Sequence, residues 1–115
     1  MSRQRHKPGS PKRPAPALLF AALGDKTRLA LVARLCSGQP ASIAQLTAGS
    51  RITRQAVTKH LRVLQHAGIV RGLRAGREHR FALDPNSIEE MQLYLDRVSQ
   101  QWDLALVRLK SFVEK

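Results

Sequence analysis

Apolar residues recur at steps of three and four along most of this chain, which is the spacing that places them on one face of an α-helix. Two short runs after residue 68 instead have the composition of β-strands and are separated by a glycine-containing turn. The pattern predicts helices over residues 17–23, 25–37, 42–48 and 53–67, strands at 69–73 and 79–83, and a final helix from residue 85 almost to the C-terminus. The expected fold class is mainly helical, with one small β-hairpin before the last helix.

Polar residues at the predicted helix starts support these boundaries. Ser42 is followed three residues later by Gln45, which is the pattern of a capping box. Thr53 opens the fourth helix, and Ile52 and Val57 have the spacing of a hydrophobic staple. Two short helices joined by a tight turn and followed by a hairpin are the elements of a helix-turn-helix with a wing.

The second helix has an apolar stripe of its own. Its members are Leu29, Val32, Ala33, Leu35 and Cys36. We expect this stripe to face the core, with Cys36 as a small buried residue. Cys36 is the single cysteine, which excludes an intrachain disulfide and is typical of a protein of the reducing cytoplasm.

The predicted hairpin carries four arginines and one glycine of structural importance. Residues 74–78 form the expected connection, in which Gly76 supplies the positive φ that a tight turn needs. Arg77 lies at the tip and is the side chain best able to reach a minor groove, with Arg74 and Arg80 beside it.

The fourth helix separates its residues into two faces. One arc should face the core and consists of Thr53, Val57, Leu61 and Leu64. The opposite arc is polar and carries Gln55, Lys59 and Arg62, with Arg54 and Thr58 at its flank. Such side chains can read base edges or hold phosphates in a DNA groove. His60 lies at the edge of the apolar arc, where a hydrogen-bonded boundary residue and a DNA contact are both open interpretations.

The last helix has an apolar seam with a heptad period. Its members are Ile88, Met91, Leu95, Val98, Trp102, Ala105, Leu109 and Phe112. A helix of this length extends beyond what the rest of so small a domain can cover, so a symmetry mate offering the same seam is the economical partner. The alternative is a helix folded back on its own domain, since Tyr94, Leu106 and Val113 widen the apolar stripe.

The net charge identifies the class of partner. The chain has 115 residues, a formal net charge of +12 and a pI near 11.5. Residues 51–80 contain eight basic residues and one acidic residue, whereas residues 84–115 have more acids than bases. A polyanion such as DNA would satisfy this charge, as would an acidic membrane surface. Residues 1–16 are basic and rich in proline, which predicts a disordered arm ahead of one domain at 17–115.

Nothing in the sequence indicates catalysis or a transmembrane segment. It contains no glycine-rich phosphate loop, no nucleophile at a recognisable spacing from a histidine base, and no paired carboxylates in a plausible cleft. We therefore expect a non-enzymatic protein without a cofactor. The helix-turn-helix, the wing and the positive charge together predict a regulator that reads a specific DNA sequence. The alternative is a sequence-tolerant architectural protein that binds DNA or RNA. The low aromatic content of 4% argues against it, because stacking on bases requires exposed aromatic rings.

The run ITRQAVTKHLRVLQHAGIVRGLRAGREHRFAL is similar to the recognition helix and wing of the ArsR/SmtB family of bacterial winged helix-turn-helix repressors. The run LFAALGDKTRLALVARL resembles the opening helices of that family. The resemblance implies a homodimer paired through the first helix, at Leu18, and the last helix, bound to an imperfect inverted repeat in a promoter. The positions that match its reading helix are Thr53, Arg54, Gln55, Thr58, Lys59, His60 and Arg62, with the wing at Arg77.

The chain departs from the family where metal sensing would occur. Members that bind soft metals carry a cysteine pair at the start of the third helix, where this chain reads Ala41, Ser42, Ile43 and Ala44. The last helix contains no histidine, and its facing carboxylates, Asp96 and Asp103, lie two turns apart. We therefore expect no metal site, and the sequence does not identify an effector.

Overall fold

The computed structural model describes residues 15–114, and the predicted arm lies outside this part of the chain except for its last two residues. The elements, in order, are α1 (Pro16–Leu23), α2 (Lys26–Leu35), β1 (Ala41–Ser42), α3 (Ile43–Thr47), α4 (Arg54–His66), β2 (Val70–Ala75), β3 (Glu78–Leu83) and α5 (Pro85–Val113). Mainly helical architecture with a small hairpin is confirmed. No helix among the described residues is long and apolar enough to cross a membrane.

Local capping sets the starts of the helices. The Asp25 carboxylate accepts hydrogen bonds from the backbone N–H groups of Thr27 and Arg28 at 2.9 and 3.0 Å, which satisfies two otherwise unpaired donors at the start of α2. Asp84 caps α5 through Asn86 N–H, and proline occupies the first turn, where it costs no hydrogen bond.

The three strands form one antiparallel sheet in the order β1–β3–β2. Strand β1, which sequence analysis missed, pairs Ala41 with Phe81 and Ser42 with Arg80. The connection between β2 and β3 is shorter than predicted, because Ala75 already pairs with Glu78 and leaves a turn of two residues. This is the tightest hairpin loop, and φ at its first residue, Gly76, is +64°.

The core lies between helices α1, α2 and α4 and the sheet. Its buried residues are Leu19, Ala22, Leu31, Val32, Leu35, Leu46, Val57, Leu61, Leu64, Ile69, Val70, Phe81 and Met91. The predicted stripe on α2 was correct for Val32 and Leu35, which are buried. It was wrong for Leu29, Ala33 and Cys36, which are exposed, and it omitted the buried Leu31. Helix α2 carries apolar residues on more than one of its sides, so the period of the sequence alone did not identify which of them are buried.

Helix α5 packs on the domain only through its first turns. Met91 is 6% exposed, and the Phe20 and Tyr94 rings lie 5.6 Å apart between α1 and α5. Every residue from Ser99 to Glu114 is exposed. The alternative of a helix folded back on its own domain is therefore wrong for the C-terminal half, which extends about 22 Å at 1.5 Å per residue.

The predicted seam also needs correction at its N-terminal end. Met91 is buried in the core of its own domain, so it is not exposed for an intermolecular contact. Ile88 is half-buried against that core, and its place in the seam stays a prediction. The exposed remainder of the seam begins at Leu95 and includes Trp102, which is 68% exposed.

Candidate nucleic-acid interface

The helix-turn-helix is held by side-chain hydrogen bonds at both ends of α3. The predicted capping box is present: Ser42 Oγ accepts from Gln45 N–H at 3.2 Å, and Gln45 Oε1 accepts from Ser42 N–H at 2.9 Å. At the other end, the guanidinium of Arg34 donates to the carbonyls of Leu46 and Gln45, both at 2.9 Å. These are carbonyls of the last turn, which have no partner within the helix. Arg34 on α2 thereby holds the end of α3 against α2.

Helix α4 begins where its sequence predicts, and its predicted core residues are buried, with one exception. Thr53 is the N-cap, and its hydroxyl accepts from Ala56 N–H at 3.1 Å. Val57, Leu61 and Leu64 are buried, as predicted. Thr53 itself is exposed, because a residue at the cap lies outside the helical arc on which its core position was predicted.

The outer face of α4 is a row of polar side chains that have no partner in the part of the chain that the structure describes. Arg54, Gln55, Lys59 and Arg62 are all exposed, and none of their side chains makes a hydrogen bond or ion pair within residues 15–114. Thr58 is half-buried at the flank, and its hydroxyl donates to Arg54 O at 2.8 Å. Because α4 contains no acidic residue, this face presents donors and positive charge together.

His60 lies apart from that row. Its imidazole is half-buried, and Nδ1 lies 3.4 Å from Nη1 of Arg28 and 3.9 Å from Oδ2 of Asp25. His60 thus has the polar neighbours expected of a boundary residue, and its contact with DNA stays a prediction.

The wing projects its arginines in different directions. Arg77 occupies the exposed two-residue turn at the tip. Residues that pair across antiparallel strands share a face, so Arg74 lies with His79, whereas Arg80 lies on the other face opposite Leu73. Arg80 also forms an ion pair with Glu78. Arg74 and Arg80, which were predicted to lie together beside the tip, are thus on opposite faces of the wing.

Only two acidic residues precede Leu83 in the sequence, Asp25 and Glu78, and each already interacts with another group of the protein. Glu78 pairs with Arg80, and Asp25 caps α2. The acids that precede Leu83 therefore neutralise little of the positive charge on α4 and the wing, which suits a surface that meets phosphates.

Comparison with known proteins also indicates a DNA-binding helix-turn-helix domain. A family described as a helix-turn-helix domain matches residues 23–72, which run from the end of α1 to β2. The chain is 33% identical over 100 residues to the HTH-type transcriptional regulator Rv2034 of Mycobacterium tuberculosis, covering 87% of this chain and 90% of that protein.

Solved structures agree in fold and in sequence. An ArsR-like transcriptional regulator from Rhodococcus sp. RHA1 is 32% identical, with a TM-score of 0.70 over 84% of this chain and 91% of that one. The ArsR family transcriptional regulator RHA00566 is 26% identical, with a TM-score of 0.66 over 76% of this chain and 94% of its own. This chain belongs to the ArsR family of transcriptional regulators.

In this ArsR-family protein the helix-turn-helix is α3–α4, and its wing is β2–β3. The protein is accordingly a transcriptional regulator with a DNA-binding helix-turn-helix domain. Its relatives are transcriptional regulators rather than enzymes.

Sequence analysis missed two residues that position this surface, Arg28 and Arg34. Both lie on α2 and act on partners that are distant in sequence: Arg34 on the end of α3, and Arg28 on His60 of α4. The available signal was an arginine on a helix that has no acidic residue to pair with, and this signal does not identify the acceptor.

Proposed function

We propose that this protein is a homodimeric repressor that binds an inverted-repeat operator in double-stranded DNA through α4 and the wing. The main support for the proposal is the row of exposed side chains on α4, opposite its buried face, which have no partner within residues 15–114. Buried Val57, Leu61 and Leu64 fix the rotation of the helix, so the polar row has a defined direction. A helix held in this way can place side chains against base edges in a major groove.

Within the row, the chemistry divides into base reading and phosphate binding. Gln55 can pair bidentately with adenine, and Arg62 can pair bidentately with guanine. Arg54, Lys59 and the cap residue Thr53 suit phosphate contacts that fix the register of the protein on the duplex. The methyl group of Thr58 can contact a thymine methyl, because its hydroxyl proton is engaged by Arg54 O.

The wing extends the contact beyond the major groove. Arg77 at the tip has no partner among the described residues and can enter a narrow, A·T-rich minor groove. Arg74 and Arg80 lie on opposite faces of the hairpin, so they suit the phosphates on the two sides of that groove.

Dimerisation is proposed from the exposed half of α5. Large apolar side chains cover it, and a patch of this extent marks an interaction surface. The exposed seam residues are Leu95, Trp102, Ala105, Leu109 and Phe112, with Val98 half-buried. Leu18 on α1 is 61% exposed and lies on a helix that packs against α5, so it can extend the same surface. A twofold contact would then set two reading helices about 34 Å apart, one turn of duplex.

Repression is the mode of regulation that we propose, because a dimer bound to promoter DNA excludes other proteins from it. The decisive experiment is selection of DNA fragments from a genomic library by the purified full chain, followed by sequencing. We expect the recovered fragments to share an inverted repeat with half-sites one helical turn apart. Recovery of fragments without a common sequence, or equal retention of RNA, would instead identify a sequence-tolerant architectural protein.

A further inference from the structure

Arg28 connects three helices through one guanidinium group. Its Nε donates to the carbonyl of Ala22 in the last turn of α1 at 2.6 Å, and its Nη1 lies 3.4 Å from Nδ1 of His60 on α4. A guanidinium group has donors only, so this contact is a hydrogen bond in the tautomer whose Nδ1 accepts. Asp25 holds the backbone N–H of Arg28 at 3.0 Å, which fixes the start of α2 beside the imidazole.

Apolar packing between α1 and α4 is incomplete. An open groove of about 320 Å³ separates α1 from the C-terminal half of α4. Leu18, Ala21, Ala22, Val63, His66 and Ala67 line this groove. Elsewhere α1 shares the buried core with α4, through Leu19 and Ala22. The polar bridge through Arg28 adds a directed connection between the end of α1 and His60.

We propose that Arg28 and His60 are positioning residues that fix α4 relative to α1 and thereby set the spacing between half-sites that the dimer accepts. The inference rests on the proposed function, in which α1 and α5 form the dimer surface and α4 reads DNA. His60 acts through Arg28 and does not read a base.

The physical reason is that twofold symmetry doubles any displacement of the reading helix. One added base pair moves the second half-site about 3.4 Å along the duplex. A reading helix held rigidly to the dimer surface therefore discriminates between neighbouring spacings. When the bridge is lost, the helix adapts to them at a smaller energetic cost.

The test measures binding of the full chain to duplexes that carry the selected inverted repeat with its natural spacing, or with one base pair added or removed. Wild-type protein should prefer one spacing. Arg28→Met and His60→Ala should each reduce that preference about three- to tenfold, while the base preference within a half-site stays unchanged. The double variant should lose no more than either single variant, because both changes remove the same bridge.

Two further variants separate positioning from general structural damage. His60→Asn places an amide oxygen near the position of Nδ1 and should restore the spacing preference. The single ammonium group of Arg28→Lys cannot reach both the Ala22 carbonyl and His60, so this variant should also have a weaker spacing preference. It replaces Arg28→Met in the experiment if Arg28→Met does not fold. Lys26→Met is the matched control, because it removes a positive charge from the same turn of α2 without touching His60.

An unchanged spacing preference in Arg28→Lys and His60→Ala would overturn the inference. A His60→Ala protein that loses preference at one base pair of each half-site would also overturn it, since that result defines a base-reading residue. Wild-type protein that binds without any preferred spacing would overturn the proposed function as well, which distinguishes the two failures.

Discussion

The imidazole of His79 lies over the backbone of Gly72 in the wing, so close that a Cβ atom at Gly72 would come within 2.5 Å of Nε2. The same ring packs against Phe81 with 4.7 Å between centroids, and Phe81 is buried in the core. Gly72 therefore allows His79 to cover the base of the wing. Glycine is needed at position 72 for packing and not for a turn, because this residue lies within a strand and a larger side chain would displace His79.

We expect Gly72→Val to displace His79 from Phe81 and to destabilise the domain by about 1 kcal/mol, the typical value of a lost ring pair. The measurement is thermal unfolding followed by circular dichroism. In a His79→Ala background the same substitution should be neutral or stabilising, because the space is free and glycine costs entropy in a strand. An equal loss of stability in both backgrounds would mean that His79 is not the group in conflict.

Base reading by α4 predicts a difference between operator and random DNA. Gln55→Ala and Arg62→Ala should each weaken operator binding by about 1–3 kcal/mol and weaken binding to random duplex much less. Fluorescence anisotropy with both duplexes gives the comparison. Lys110→Ala, which removes an exposed basic residue from the side of α5 away from the seam, should change neither affinity. Equal losses on the two duplexes would reassign Gln55 and Arg62 to phosphate contacts.

Phosphate binding by the wing predicts a change in salt dependence. Arg77→Ala should reduce the slope of log affinity against log salt by about 0.9, the value for one phosphate contact on duplex DNA. Arg77→Lys keeps the charge and should keep the slope. If both variants have the wild-type slope, the tip of the wing does not contact the duplex backbone.

The parts of this structure that were predicted correctly depend on neighbours in sequence. The capping box of Ser42 and Gln45 and the cap at Thr53 join residues three apart, so their spacing alone identified them. The polar face of α4 followed from its period, because its buried residues fall on one narrow arc.

The parts that were missed depend on distant residues. Strand β1 has two residues and exists only because it pairs with β3, about forty positions later. The bridge from Arg28 to His60 joins residues 32 positions apart, and no local pattern indicates such a pair. The hairpin turn was predicted too long because strand pairing continues through Ala75 and Glu78, which have little strand propensity of their own.

The cap at Asp25 predicts a pH dependence of stability. Its pKa is lowered below the ordinary 3.8, first by the hydrogen bond from the Arg28 backbone N–H. A carboxyl group with a lowered folded-state pKa contributes stability above its unfolded-state pKa, and this contribution is lost as pH falls through the folded-state value. Asp25→Ala should therefore lower the Tm at pH 7, and the difference from wild type should narrow below about pH 4.

Asp25→Ser is the control for this cap. A serine hydroxyl still accepts at the N-cap, so most of the stability at pH 7 should remain, while the acid dependence should resemble that of Asp25→Ala. A Tm deficit in Asp25→Ala that is the same at pH 7 and pH 3 would show that the ionised carboxylate has no special contribution.

The exposed seam of α5 predicts that DNA binding depends on dimerisation. Trp102→Glu places a charge in the middle of the proposed interface, where an unpaired buried ion costs far more than lost packing. Leu104→Glu is the matched control: Leu104 is 61% exposed against 68% for Trp102, and it lies on the opposite side of the same turn. Light scattering should find Trp102→Glu monomeric and Leu104→Glu dimeric.

Operator binding should follow the oligomeric state, because a monomer fills only one half-site and loses the contribution of the second. Trp102→Glu should lose most of its operator affinity and keep its affinity for an isolated half-site, since Trp102 lies on the exposed half of α5, outside the core that supports α4. Leu104→Glu should bind the full operator as wild type does. A Trp102→Glu protein that stays dimeric, or wild-type protein that is monomeric at micromolar concentration, would remove this seam as the dimer contact. Loss of half-site binding in Trp102→Glu would instead indicate that the distal half of α5 stabilises its own domain.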